Sequence, residues 1–235
     1  MANVRGAVSS AAASKAAELA RINAMKKGKT PEQQRVIDFF FTDPNGGCLK
    51  KNNTSVYTFE EYRNLVAKKC SDFNFRQKAI EKIGLDESQI QEIPPVMLSS
   101  FVFDNDVLIK TNNNEAVSSQ YSVTWIFFSA MQMYTYQFIY DMTSDNTWEY
   151  TKDYFYTDIT CFSTQRYVKE KIETSLGSGC LSKNKENVNK SLYVIDRLEI
   201  IVPGSAYSFS LRNSDTIEQS IQAAKAMIRE KKYSK

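Results

Sequence analysis

Apolar residues recur at two different spacings along this chain, and the change falls at Pro94-Pro95. Before that point the spacing is helical; after it, apolar and polar positions alternate as they do in strands. Residues 7–27 (AVSSAAASKAAELARINAMKK) predict a helix rich in alanine, the best helix former, with a narrow apolar stripe and a stop at Gly28. Thr30-Pro31-Glu32-Gln33 opens a second helix with proline at its first position, and Val36, Ile37, Phe39, Phe40 and Phe41 give it a bulky end. Asp43-Pro44-Asn45-Gly46-Gly47 reads as a turn, because it lacks the glycine spacing and the Lys-Ser/Thr ending of a phosphate-binding loop. Thr58 with Glu61 three residues on predicts a capped helix carrying Tyr62, Leu65 and Val66 on one face. Ala79, Ile80 and Ile83 form the face of another, which stops at Gly84, and Asp86 is placed to cap a last short one.

From Val96 the period is two. Strands are expected near 97–103, 107–111, 121–129, 131–141, 147–157 and 159–164, with turns at Asp104-Asn105-Asp106, Asn112-Asn113-Asn114 and Ser144-Asp145-Asn146. In 131–141 the even positions Gln132, Tyr134, Tyr136, Phe138 and Tyr140 make an aromatic face, while the odd positions are mixed. A short helix at 166–173 and a long polar loop at 174–190 are expected to interrupt the sheet. Two strands then flank Pro203-Gly204. Residues 215–232 close the chain as an amphipathic helix, with Asp215 and Glu218 set as a capping box and Ile217, Ile221, Ala224 and Ile228 on one face. The expected organisation is α+β: a basic Ala-rich helix or tail at 1–29, a small helical region at 30–95, and a β domain with a C-terminal helix at 96–235.

Composition narrows the chemistry. With 42% hydrophobic and 24% charged residues, 235 residues can bury a sizeable core. No apolar run approaches the roughly 20 residues of a membrane span, and the Ala/Ser-rich N-terminus does not resemble a secretory signal, so a cytoplasmic protein is expected. There is no histidine, which removes the usual general acid–base and the usual zinc-ligand spacings. Cys48, Cys70, Cys161 and Cys180 lie far apart with no C-x-x-C pair, so they read as free thiols. The carboxylate pairs Asp141/Asp145 and Asp153/Asp158 flank turns, where acids are ordinarily solvated. No catalytic residue, metal ligand or cofactor is expected.

Charge is unevenly spread. Residues 1–35 hold seven Lys/Arg against two acids, and 225–235 hold five against one, which leaves the body between them net acidic. Nucleic-acid binders gather basic residues on the folded face. Aromatics are concentrated instead: 15 of the 29 fall between Tyr121 and Tyr167. Stacking on bases would need interleaved Lys and Arg, and the sequence has none between Thr111 and Tyr150. Nucleic acid is therefore not an expected partner.

Two segments carry a family resemblance. YFYTDIT (154–160) looks like the aromatic-x-Asp-Ile strand start common in bacterial pleckstrin-homology-like and GRAM-type domains, and LEIIVPGSAYSFSLRNSDTIEQSIQAAKAMIREKK (198–232) is similar to their final hairpin and helix. The resemblance covers roughly residues 96–232 and implies about seven short strands in a bent antiparallel barrel, closed by the C-terminal helix. It implies a binding scaffold and no particular chemistry. The basic cluster of the lipid-binding members is missing, because the corresponding loop reads Asp104-Asn105-Asp106. The long 174–190 segment and the helical region before 96 also depart from the family plan.

The sequence thus points to a non-enzymatic binding or scaffolding protein whose partner is another protein. The expected contact residues are Lys15, Arg21, Lys26 and Lys27 on the N-terminal helix and Tyr134, Tyr136 and Phe138 on the aromatic face. The alternative is a peripheral protein held on an anionic membrane surface by its basic ends.

Overall fold

A computed structural model describes residues 3–41, 56–86, 88, 90, 93–104, 106–112, 115–176, 186–212 and 214–233. The expected turn at 43–47, Cys48 and Cys180 lie outside the described residues. The architecture is α+β, with five α-helices and antiparallel sheets among the described residues.

The helices are α1 (Asn3–Lys26), α2 (Pro31–Phe41), α3 (Phe59–Ser71), α4 (Phe75–Ile83) and α5 (Asp215–Tyr233). Local chemistry sets their ends. Thr30 and Gln33 exchange side chain-to-backbone hydrogen bonds at the start of α2. Thr58 and Glu61 do the same at α3, at 3.1 and 2.7 Å, satisfying two orphan N–H groups. Asn74 caps α4, which ends on Gly84 at φ 75, a left-handed conformation that costs a residue with a Cβ. At α5 the cap sits one residue earlier than expected: Ser214, not Asp215, accepts from the backbone N–H of Ile217 at 3.3 Å.

Among the described residues nine strands follow the α4 region: β1 (Val96–Phe101), β2 (Ile109–Asn112), β3 (Glu115–Ser118), β4 (Gln120–Phe128), β5 (Gln132–Asp141), β6 (Thr147–Phe155), β7 (Cys161–Leu176), β8 (Glu186–Val202) and β9 (Ser205–Leu211). They hydrogen-bond as three antiparallel sheets, β1-β4-β5-β6, β2-β3 and β7-β8-β9. Hydrogen bonding does not join the described strands into one continuous barrel. Residues 166–173 are strand, not helix, and β7 and β8 reach well into the stretch expected to be loop, down to the pair Leu176 and Glu186. Only 177–185 of that stretch lie outside the described residues.

The four-stranded sheet is covered on both faces. On one side Leu98, Ile126, Phe128 and Met133 pack against Leu198, Ile200 and Phe209 of the three-stranded sheet and against Ile221, Ala224, Met227 and Ile228 of α5. On the other, Val123, Phe127, Tyr136, Phe138 and Tyr140 pack against Val36, Phe39, Tyr62, Val66, Phe75 and Ala79 of α2–α4. Two-sided burial explains why β4 is buried along nearly its whole length. A third, smaller cluster of Phe103, Tyr193 and Ile195 joins the β7–β8 hairpin to the β2–β3 side.

Candidate functional site

The aromatic face of β5 is core. Tyr136 and Phe138 are buried and Tyr134 is half-buried. Phe138 meets the ring of Phe75 at 5.4 Å and lies under the Lys78 ammonium at 4.3 Å. Tyr136 and Phe138, two of the residues expected to meet a partner, are therefore covered within the same chain by the layer of α2–α4. The reason is energetic: an aromatic side chain is worth roughly 1.5–3 kcal/mol when buried, and the tethered helices offer a matching apolar face.

A charged cluster pins that cover in place. Glu149 on β6 accepts from the Tyr136 hydroxyl at 2.6 Å and pairs with Lys78 at 3.2 Å and Lys82 at 3.1 Å, both on α4. Burial pushes the Glu149 carboxyl up, but hydrogen bonds from Tyr136, Lys82 and Lys78 and the Lys78 charge outweigh it and hold the group at about 2. Burial, and then the bond to Glu149, push the Tyr136 phenol up, so it stays a neutral donor.

The basic residues of α1 have separate fates. Arg21 is exposed with its guanidinium 6.0 Å from the Phe41 ring, Lys26 is ion-paired with Asp38 of α2, and Lys27 is exposed. Lys15 lies within α1. The helix packs on α2 alone among the larger contacts, and Leu19 is 62% exposed. Pairing to Asp38 leaves less positive charge free for an anionic surface. No helix among the described residues is long and apolar enough to cross a membrane.

Of the carboxylates singled out by sequence, Asp141 and Asp158 stand at turns and Asp145 ties a turn to α2. Asp141 accepts from the Thr143 backbone N–H and hydroxyl at 2.7 and 2.6 Å, and Asp145 accepts from Gln33 of α2 at 2.8 Å. Asp158 stands in the 3-10 turn Tyr156–Asp158, where it accepts from Thr157. Among cysteines in the described residues, Cys70 and Cys161 are free and half-buried, and burial pushes the Cys70 thiol up, away from nucleophilic character.

Two grooves stand out among the described residues. One, of about 210 Å³, lies between β5–β6 and β9 and is lined by Thr135, Gln137, Tyr150, Lys152, Tyr207, Ser208 and Phe209. There hydrogen bonds with Ser205 and Lys152 lower the Tyr207 phenol below its ordinary value, and the Lys152 ammonium stands 3.4 Å over the Tyr207 ring. The other, of about 420 Å³, lies where the β1–β2 connection meets the β7–β8 hairpin and is lined by Asp104, Tyr167, Lys169, Ile195 and Arg197. Asp104 is ion-paired with Arg197 in it, and Lys169 donates to the Phe103 carbonyl at 3.4 Å. Its cations are thereby engaged with the chain itself.

Among the described residues, the β7–β8 hairpin carries a cluster of exposed apolar side chains. β9 pairs with β8 only from Asp196 onward, so the outer half of the hairpin stands as a two-stranded arm. Five consecutive β7 residues, Arg166 to Glu170, are exposed. On the inner face Tyr193 and Ile195 are buried; on the outer face Val168, Leu192 and Val194 are 62, 54 and 48% exposed. Val168 is paired directly with Val194, flanked by the ion pairs Arg166–Asp196 and Lys190–Glu170 at 2.7 and 3.0 Å. Reading 166–173 as helix hid this surface. The available signal was composition, with aromatic Tyr167, β-branched Val168 and Ile172, and no alanine or leucine in 166–173. Comparisons of the chain with protein-family models, with curated proteins and with solved structures found no match.

Proposed function

We propose that this chain is a non-enzymatic protein-binding scaffold built on the pleckstrin-homology-like plan and working in the cytoplasm. The strand order supports the plan: a four-stranded meander with an inserted hairpin, then a three-stranded meander, then a closing helix. The free thiols Cys70 and Cys161 suit a reducing compartment. Asp141 and Asp145, committed to a turn and to Gln33, are poor acid–base candidates.

The observation that carries the binding reading is the β7–β8 arm. Val168, Leu192 and Val194 form one apolar strip on a strand pair joined by its own ladder and packed on the Phe103–Tyr193–Ile195 cluster beneath. An apolar strip rimmed by ion pairs on a rigid element is the composition of a protein contact surface. The test places a photo-crosslinking amino acid at Leu192 in the full chain, in its own cells, with Thr157 as an exposed control. A discrete protein adduct at position 192 and none at 157 is expected. No adduct, or equal labelling at both positions, would remove the reading.

A further inference from the structure

We infer that the partner of the arm is a second copy of this chain, joined edge to edge through β7. The inference rests on the arm being the contact surface. Among the described residues β7 is the outer strand of its sheet and pairs with β8 alone. A long edge with exposed backbone is a template for another strand, and two identical edges can meet only antiparallel about a two-fold axis perpendicular to the sheet. Such an axis keeps each side chain on its own face, so it must pass through a residue that faces its own copy.

Charge selects the residue. Centring on Val168 sets Arg166 against Glu170 of the second copy, and Glu170 against its Arg166, with Tyr167 opposite Lys169 on the other face. Centring on Lys169 or Glu170 sets a charge against itself, and centring on Tyr167 sets Arg166 against Val168. Among registers centred within the exposed run Arg166 to Glu170, the Val168 register alone joins opposite charges without opposing like ones.

The neighbouring strand extends the match. Val194 lies opposite Val168 and Asp196 opposite Arg166. The joined sheet would carry a row of four valines, Val194 and Val168 from each copy. Beside it would run a chain of alternating charge: Asp196, Arg166, then Glu170 and Lys190 of the second copy. Arg166 gives Nε and Nη2 to Asp196, and a guanidinium has five N–H donors, so it can serve both acids.

The test uses two full-length variants. Arg166→Glu and Glu170→Arg each set like charges in opposition twice across the axis. Mixed together, they set opposite charges in opposition twice. Any disturbance of the pairs within each chain is the same alone and in the mixture, so it cancels. Sedimentation velocity should show a wild-type dimer, a dissociation constant raised about tenfold or more for each variant alone, and dimer restored on mixing. Circular dichroism checks that both variants fold. A monomeric wild type, variants that dimerise as well as wild type, or a mixture that stays monomeric would overturn the pairing. A monomeric wild type with a position-192 adduct to an unrelated protein would overturn it too, while leaving the protein-binding reading in place.

Discussion

Tyr136 reaches out of the buried face of β5 to place its hydroxyl 2.6 Å from Glu149 Oε1, the carboxylate that also holds Lys78 and Lys82 of α4. One acid thereby links the sheet, the aromatic core and the helical cover. Its folded pKa, at about 2, lies below the ordinary 4.5. A depressed carboxylate contributes stability that is complete above the unfolded value and is lost as pH falls toward the folded one. The wild-type protein should therefore lose stability between pH 4.5 and about 2. Glu149→Gln, which keeps an acceptor for Tyr136 but cannot titrate, should start lower and show a shallower decline across the same window. Urea midpoints at a series of pH values measure it, and parallel curves for the two proteins would refute the assignment.

Two buried tyrosines cross the helix–sheet boundary in opposite senses. Tyr62 of α3 donates to the Ser118 carbonyl of β3 at 2.7 Å, and Tyr140 of β5 donates to the Val66 carbonyl of α3 at 3.1 Å. Each phenylalanine substitution strips a donor from a buried carbonyl, at a cost of roughly 1–3 kcal/mol. Val66 lies mid-helix, where its carbonyl also serves the helical ladder. Tyr140→Phe should therefore fall at the low end of that range and Tyr62→Phe nearer the middle. Denaturant unfolding of both variants gives the comparison, and equal losses below about 0.3 kcal/mol would mean that neither bond holds the boundary.

How far the sequence foretold this arrangement differs from element to element. Thr58/Glu61 and Gly84 act through contacts within a few residues, and the helix ends they set were legible to within a residue or two. The aromatic alternation in 131–141 was legible as well, but not its use. Periodicity shows that Tyr136 and Phe138 share a face; only long-range packing shows that α3 and α4 cover it. The β7–β8 arm was missed for a related reason. Its lysines, glutamates and asparagines have weak strand preference, and the pairing of Val168 with Val194 and Glu170 with Leu192 supplies what local propensity does not. Glu149 was overlooked because nothing near it in sequence suggests Lys78 and Lys82, which arrive from α4.

The N-terminal helix poses the opposite problem, since its propensity is high and its tertiary support is small. A 24-residue helix spans about 36 Å at the ~1.5 Å rise per residue. Its residues 16–21 are all exposed, while Ile22, Met25 and Lys26 toward its end are half-buried near α2. Removing residues 1–20 should therefore change the unfolding free energy by no more than about 0.5 kcal/mol, the range of surface changes that touch nothing. Removing residues 1–29 should cost more, about 1–2 kcal/mol, by stripping the Lys26–Asp38 pair and the apolar contacts of Ile22 and Met25. Urea unfolding of the three chain lengths separates the two effects, with the m-value reporting whether exposed surface changes in step. If the shorter deletion costs as much as the longer one, the outer half of α1 must pack on the body and does not project from it.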